Sequence, residues 1–317
     1  MTDRANLLVT VPGATLRRAL EHATGGVPDG VDVVEWDMAG PPPAEASGRR
    51  IGIVVPPYMG ASARLGVLDG LEVGLVQSQS IGYDDVPDAL PAGHVFANAA
   101  SVHETSTAEL AVGLAIAAQR GLPDFVRAAG EGRWAPARHA SLADRRVLLV
   151  GYGGVGRAIE DRLAGFEVEL TRVASRARDD ERGRIHGVDE LPALLPDAEV
   201  VIVVVPLSDE TTRLVGTDFL AALPDGALVV NVARGAVADT DAILSEATSG
   251  RLRFALDVTD PEPLPAGHPL FALPNVLISP HVGGATTAMM PRMARLLRDQ
   301  IERILRGDEP RNVVLRT

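Results

Sequence analysis

Residues 147–157 read VLLVGYGGVGR, and this stretch decides the fold. Four apolar residues suit a buried strand, glycines end it in a tight turn, and the turn opens a helix. Gly151, Gly153 and Gly156 have the spacing G-x-G-x-x-G, with Gly154 and Val155 inside it. Glycines let the backbone come close to a pyrophosphate, and a helix N-terminus offers unpaired amides to it. Alone the pattern is weak, because glycine turns without a ligand are common. Its setting strengthens it: an apolar strand precedes, a helix follows, and a second apolar run comes about 20 residues later, as a dinucleotide-binding unit requires.

That second run ends in RVASRAR, residues 172–178. A site for NAD would place an acid there to bond the ribose 2′-hydroxyl. Ala174 stands at that position, and Ser175, Arg176 and Arg178 follow. A carboxylate would repel a 2′-phosphate, whereas arginine binds one with two parallel hydrogen bonds. NADP(H) is therefore expected ahead of NAD(H), which stays possible. The plainer alternative is a solvated arginine pair facing Asp179, Asp180 and Glu181.

Around this unit, short apolar runs alternate with helical periodicity, the pattern of an α/β chain with parallel sheets. The first third offers strands at 7–11, 31–36, 51–55, 73–77 and 95–97, a loop at 40–48 and a helix at 105–120. A second series offers strands at 147–150, 168–173, 200–205, 228–232, 254–257 and 276–279. Helices at 155–164 and 239–248 lie among them. Six near-continuous apolar strands with crossovers predict a Rossmann doubly wound sheet. A last helix at 286–306 carries Met289, Met290 and Met293, which suit core packing.

Composition narrows the chemistry. The 317 residues suggest two domains, and 46% are hydrophobic. A net charge of -12 argues against nucleic acid as a partner. Cysteine is absent, which removes disulfides, thiolate zinc sites and thiol nucleophiles. Lysine is absent too, which excludes Schiff-base catalysis and a Walker A lysine. No apolar run is long enough to span a membrane, and the first residues, MTDRANLLVT, are too polar for a signal peptide. A cytoplasmic protein with no membrane partner and no metal site is expected.

Three later segments place ionisable groups at strand ends, where ligands of such sheets bind. In NVARGAVAD, residues 231–239, Arg234 follows a strand. In ALDVTDPEPLP, residues 255–265, Asp257 ends a strand and Glu262 comes five positions on. In SPHVGGAT, residues 279–286, His281 follows a strand. Each has a bland explanation: a surface arginine, turn-forming acids beside prolines, a structural histidine. All three together, downstream of a dinucleotide turn, are hard to explain that way.

The whole set resembles the D-isomer-specific 2-hydroxyacid dehydrogenases, over roughly residues 75–285. The resemblance implies that Arg234, Glu262 and His281 are the catalytic set, with Arg234 and His281 also touching substrate. It implies a cofactor-contacting loop in PLSDETT, residues 206–212, with Pro206 and Thr211. Asp257 matches a position near the nicotinamide amide, and Ala233 and Gly283 are expected to border the cofactor. The resemblance also implies a carboxylate-binding loop in SQSIGYDD, residues 78–85, through the amides of Ile81 and Gly82. Tyr58 and Met59 are candidates for the same pocket. It implies a discontinuous, flavodoxin-like substrate domain (1–97 and 285–317), a dinucleotide domain (98–284) and a homodimer. Where relatives often carry N-x-P-G, this chain has NAAS, residues 98–101, followed by His103, expected in a structural role. No appended regulatory domain is expected after the last helix.

The chemistry agrees with those roles. Reducing a 2-keto acid needs a hydride and a proton, and histidine is the natural proton donor near neutrality. A carboxylate such as Glu262 favours the charged imidazolium. Arg234 suits a carboxylate or a polarised carbonyl. The expected activity is reduction of a small 2-keto acid, such as glyoxylate or hydroxypyruvate, to a D-2-hydroxy acid. The alternatives are a dinucleotide-sensing corepressor-like scaffold and a phosphite or formate dehydrogenase on the same fold.

Overall fold

The structure, a computed structural model, describes residues 6–317. The chain begins with β1 (Leu7–Val11), α1 (Ala14–His22), β2 (Val31–Glu35), β3 (Ile51–Val54), α2 (Ser62–Leu65), β4 (Val73–Gln77), α3 (Val86–Ala89) and β5 (Val95–Ala97). It continues with α4 (Glu104–Gln119), α5 (Leu122–Gly130), β6 (Arg146–Val150), α6 (Gly154–Leu163), β7 (Glu169–Ala174), β8 (Arg178–Asp180) and β9 (Gly183–Gly187). Then come α7 (Leu191–Leu194), β10 (Val200–Val203), α8 (Thr217–Ala221), β11 (Leu228–Asn231), α9 (Thr240–Ser249), β12 (Arg253–Leu256) and β13 (Val276–Ile278). The chain closes with α10 (Met289–Arg306) and β14 (Val313–Arg316).

These elements form two compact units. One runs up to His103 and resumes from Thr287 to Thr317; the other is Glu104–Thr286. The sequence reading put the divisions after residues 97 and 284.

The first unit holds a six-stranded sheet in the order β14-β5-β4-β3-β1-β2. Its five parallel strands follow the flavodoxin-like order, and β14 adds an antiparallel edge on β5. One face packs Leu16 and Leu20 of α1 with Met289, Met293, Leu296, Leu297 and Ile301 of α10. The methionines are thus core residues. The helix α10 begins at Met289, three residues later than its periodicity suggested, because Gly284 and the Thr286 side chain take the preceding segment into turns. A buried amide pair fixes it to β4: Gln300 Nε2 donates to Gln77 Oε1 at 2.7 Å.

The second unit holds an eight-stranded sheet in the order β13-β12-β11-β10-β6-β7-β9-β8. From β9 to β12 this is the doubly wound order, with the switch point between β6 and β10. Side chains alternate along each strand. Val147 and Leu149 face one core with Ile159 and Leu163 of α6 and Ala108 and Ala111 of α4. Leu148 and Val150 face the other, with Phe219, Leu220 and Ile243. Burial on both faces explains why these strands read as unbroken apolar runs. The switch point leaves the ends of β6 and β10 open at one edge, and β11, β12 and β13 end in sequence beside them.

Candidate active site

The Gly-rich turn sits at that edge. Gly151 adopts φ +109, and a Cβ there would lie 2.6 Å from the Val204 carbonyl oxygen that follows β10. A Cβ on Gly156 would fall on the Gly151 carbonyl oxygen, so helix and strand pack this closely only with glycine. Gly153 differs: a Cβ there would meet nothing within 4 Å. Its bareness serves open space, as close approach by a pyrophosphate demands. The first intrahelical bond of α6 runs from Arg157 N to Gly153 O at 3.0 Å. The amides of Gly154, Val155 and Gly156 therefore have no intrahelical acceptor. These groups fit a dinucleotide pyrophosphate.

β7 ends at Ala174, where an acid would have marked NAD. Ser175 and Arg176 are exposed beyond it. Arg178 reaches back toward the turn, with Nη2 3.4 Å from the Tyr152 carbonyl oxygen. Among the described residues neither Arg176 nor Arg178 forms an ion pair, and Asp180 and Glu181 are paired with other arginines. Asp180 lies 3.6 Å from Arg157 and from Arg172.

The segment after Arg176 forms the antiparallel hairpin β8–β9. A charged network that sequence reasoning missed supports it. Tyr152 donates to Glu160, and burial together with that carboxylate pushes its phenol up. Glu160 also lies 3.4 Å from Arg172 and 3.0 Å from Arg182. At the hairpin's far end Glu190 accepts from the Gly187 amide, His186 and Arg184. These bonds hold its carboxyl down at about 2. No local signal announces this network, because its members come from three separate stretches of chain.

The strand-end groups gather on adjacent strands. Arg234 follows β11 in an extended conformation; its Nη1 donates to the Ala233 carbonyl at 2.7 Å, and Asn231 Nδ2 donates to the Arg234 carbonyl at 3.2 Å. Asp257, 3% exposed, directly follows β12. Its Oδ1 accepts from Ser279 Oγ at 2.6 Å and Val282 N at 2.9 Å, and its Oδ2 from Gly283 N at 3.0 Å. Asp257 thus organises the turn after β13.

Within that turn His281 has φ +52, a left-handed conformation uncommon for a residue with a side chain. Its amide lies 2.7 Å from the Asp257 carbonyl oxygen. This geometry brings His281 Nδ1 to 2.5 Å from Glu262 Oε1, across 19 positions of sequence. A carboxylate on Nδ1 fixes the ring and leaves Nε2 as the working nitrogen. Ala233 is buried behind Arg234, and Gly283 packs against Thr107 of α4, where a Cβ would lie 3.3 Å from the threonine methyl.

The loop after β10 is closed by Thr211, whose hydroxyl donates to the Pro206 carbonyl at 2.6 Å and accepts from Ser208 N at 2.8 Å. In the first unit, the loop after β4 is tied by its carbonyls. Asn98 Nδ2 donates to Ile81 O at 2.9 Å, and Ala99 N to Ser80 O at 2.9 Å. The Ile81 and Gly82 amides have no acceptor among the described residues. Tyr58 stacks on His103, and Met59 is exposed. No helix among the described residues is long and apolar enough to cross a membrane.

Residues 112–283 match the family described as D-isomer specific 2-hydroxyacid dehydrogenase, NAD binding domain. The chain is 32% identical to a glyoxylate reductase of Korarchaeum cryptofilum over 76% of this chain and 75% of that protein. It is 28% identical to the human glyoxylate reductase/hydroxypyruvate reductase over 87% of this chain and 89% of that one. Among solved structures, a D-isomer specific 2-hydroxyacid dehydrogenase from Xanthobacter autotrophicus Py2, in complex with NADPH and MES, matches with a TM-score of 0.78. It has 29% identity and covers 98% of each chain.

Proposed function

The chain belongs to the D-isomer-specific 2-hydroxyacid dehydrogenase family, and we propose that it is an NADPH-dependent reductase of small 2-keto acids. It is an NAD(P)-dependent enzyme of that class. The observation that carries the finer reading is the His281–Glu262 pair, at 2.5 Å, on the strand edge that also holds the Gly-rich turn. The human relative's name and that of the Korarchaeum protein give glyoxylate and hydroxypyruvate as the substrates to try first.

In this reading the Gly151–Gly156 turn and the first amides of α6 would hold NAD(P)H, which would supply a hydride for the carbonyl carbon. His281 Nε2 gives its proton to the carbonyl oxygen, so that keto acid, hydride and proton make the 2-hydroxy acid. Glu262 holds the ring through Nδ1 while Nε2 gives up its proton. Arg234 holds negative charge on the substrate. The Ile81 and Gly82 amides, in the first unit, are proposed donors to a carboxylate. Asp257 keeps the amides of Val282 and Gly283 in register.

Preference for NADPH rests on Ala174 standing where an acid would select NAD, with Ser175, Arg176 and Arg178 following it. Arg176→Ala should raise the KM for NADPH about tenfold or more, the scale of one exposed charge-assisted contact, and leave that for NADH little changed. Steady-state kinetics with both cofactors and glyoxylate checks this. A wild-type enzyme that prefers NADH would contradict it.

A homodimer through the second unit accounts for an apolar surface on and after α5. Val126 is 71% exposed and Trp134 95%, with Leu122 and Phe125 beside them in sequence. Exposed apolar residues clustered this way mark an interface. Light scattering should give twice the chain mass for the wild type and the chain mass for Val126→Glu/Trp134→Glu. A monomeric wild type would refute the dimer.

A further inference from the structure

Tyr152 is buried within the Gly-rich turn, and three parts of it meet charged groups. Its carbonyl oxygen faces Arg178 Nη2 at 3.4 Å. The guanidiniums of Arg157 and Arg172 lie 5.4 Å and 5.6 Å from its ring centroid, close enough for attraction by the ring face. Its hydroxyl donates to Glu160 of α6. Glu160 in turn ties α6 to the hairpin, 3.0 Å from Arg182 in the β8–β9 turn and 3.4 Å from Arg172 of β7. Arg172 Nη2 donates to the Arg182 carbonyl at 2.5 Å, and Arg172 lies 3.6 Å from Asp180, two residues past Arg178 on β8. The strand β8 is the outermost of its sheet, and Arg178, Asp179 and Asp180 give the core no apolar side chain. Its place beside the Gly-rich turn therefore depends on these charges and not on hydrophobic burial. The Glu160 and Arg172 side chains are only 16% and 12% exposed, so solvent screens the pair little.

We propose that Tyr152 and Glu160 are positioning residues for the cofactor's 2′-phosphate: they hold β8 so that Arg178 stands beside the Gly-rich turn, and they favour NADPH over NADH without touching the phosphate. The proposal rests on the reading that Arg176 and Arg178 receive that phosphate. Arg178 spends its own contacts on two long bonds, 3.5 Å to the Arg176 carbonyl and 3.4 Å to that of Tyr152. A guanidinium has five N–H donors, so others stay available to an anion. Ordering a long exposed side chain costs entropy, and a strand already fixed by Glu160 completes part of that ordering before the cofactor arrives. NADH has no 2′-phosphate, so its binding does not depend on where Arg178 stands.

The test is the Kd of NADPH and of NADH, read by nucleotide fluorescence, for the wild type, Glu160→Gln, Arg178→Ala and the double variant. Glu160→Gln keeps an acceptor for the Tyr152 hydroxyl and removes the charge that holds Arg172 and Arg182. It should raise the Kd for NADPH about three- to tenfold, the range of coupled neighbours, and leave that for NADH little changed. In the Arg178→Ala background the same substitution should have no further effect on NADPH. Tyr152→Phe removes the hydroxyl and keeps the ring. It should weaken NADPH in the same direction by a smaller factor, and it carries the test if Glu160→Gln does not fold. Equal weakening of both cofactors, or a Glu160→Gln effect that persists without Arg178, would make the network a matter of general stability and overturn the proposal. A wild type that prefers NADPH, with that preference intact in both single variants of the network, overturns it as well. A wild type that prefers NADH overturns the NADPH reading itself, and this assignment with it.

Discussion

Replacing His281 with alanine should lower kcat for 2-keto acid reduction by about 10²–10⁴, the range that positioned general acids contribute. Cofactor affinity should stay within about twofold. The pair geometry gives the reason. Nδ1 is engaged by Glu262 at 2.5 Å, so the ring's other nitrogen is the only one left to deliver a proton. The groups proposed to hold the dinucleotide lie on α6 and after β7, on other strands of the sheet. Because His281 is left-handed, alanine adds some backbone strain there. His281→Asn is the control, since asparagine tolerates that conformation and cannot act as the acid. Both variants should lose reduction while NADPH still binds, as measured by nucleotide fluorescence. Glu262→Gln should fall between them and the wild type, because the ring keeps a hydrogen-bond partner on Nδ1 but a neutral, weaker one than the carboxylate. Activity that survives in His281→Asn would show that the proton comes from elsewhere.

Replacing Arg234 with glutamine should cost about 10²–10³ in kcat/KM, the effect of losing a preorganised donor to developing negative charge. Arg234 is built into place. Asn231 donates to its carbonyl, and its own Nη1 donates to Ala233 O, so the side chain is aimed by the end of β11. A guanidinium has five N–H donors, so that orienting bond does not exhaust it. Arg234→Lys should recover little, because an ammonium cannot reproduce a planar fork. Initial rates over a range of keto acid concentrations separate the two effects. A rise in KM alone would assign Arg234 to ground-state binding, and rates like the wild type would remove it from the site.

The sequence carried these residues in a legible form because each follows an apolar strand, and strand ends of a doubly wound sheet converge on one edge. The glycine turn was legible for the same reason, and the structure separates its members: Gly151 and Gly156 serve packing, whereas Gly153 faces open space. The β8 segment was not legible. Arg178, Asp179 and Asp180 have no apolar alternation, and pairing with β9 and the Arg172–Asp180 contact hold them as a strand. Nor could spacing show that Asp257 is spent on Ser279, Val282 and Gly283, since those bonds span 22 residues or more. The partners of His103 were hidden for a related reason. Its local setting resembles a helix start, and only the fold reveals that one nitrogen holds the loop after β4 while the other has no partner.

The central claim, hydride transfer to the C2 carbonyl of a keto acid, is tested most directly with NADPH deuterated at the transferring nicotinamide carbon. Incubation with hydroxypyruvate or glyoxylate and analysis of the product by NMR should show one deuterium on C2 of the 2-hydroxy acid, matched to cofactor oxidised. No product despite bound cofactor, or a product with no deuterium at C2, would contradict it.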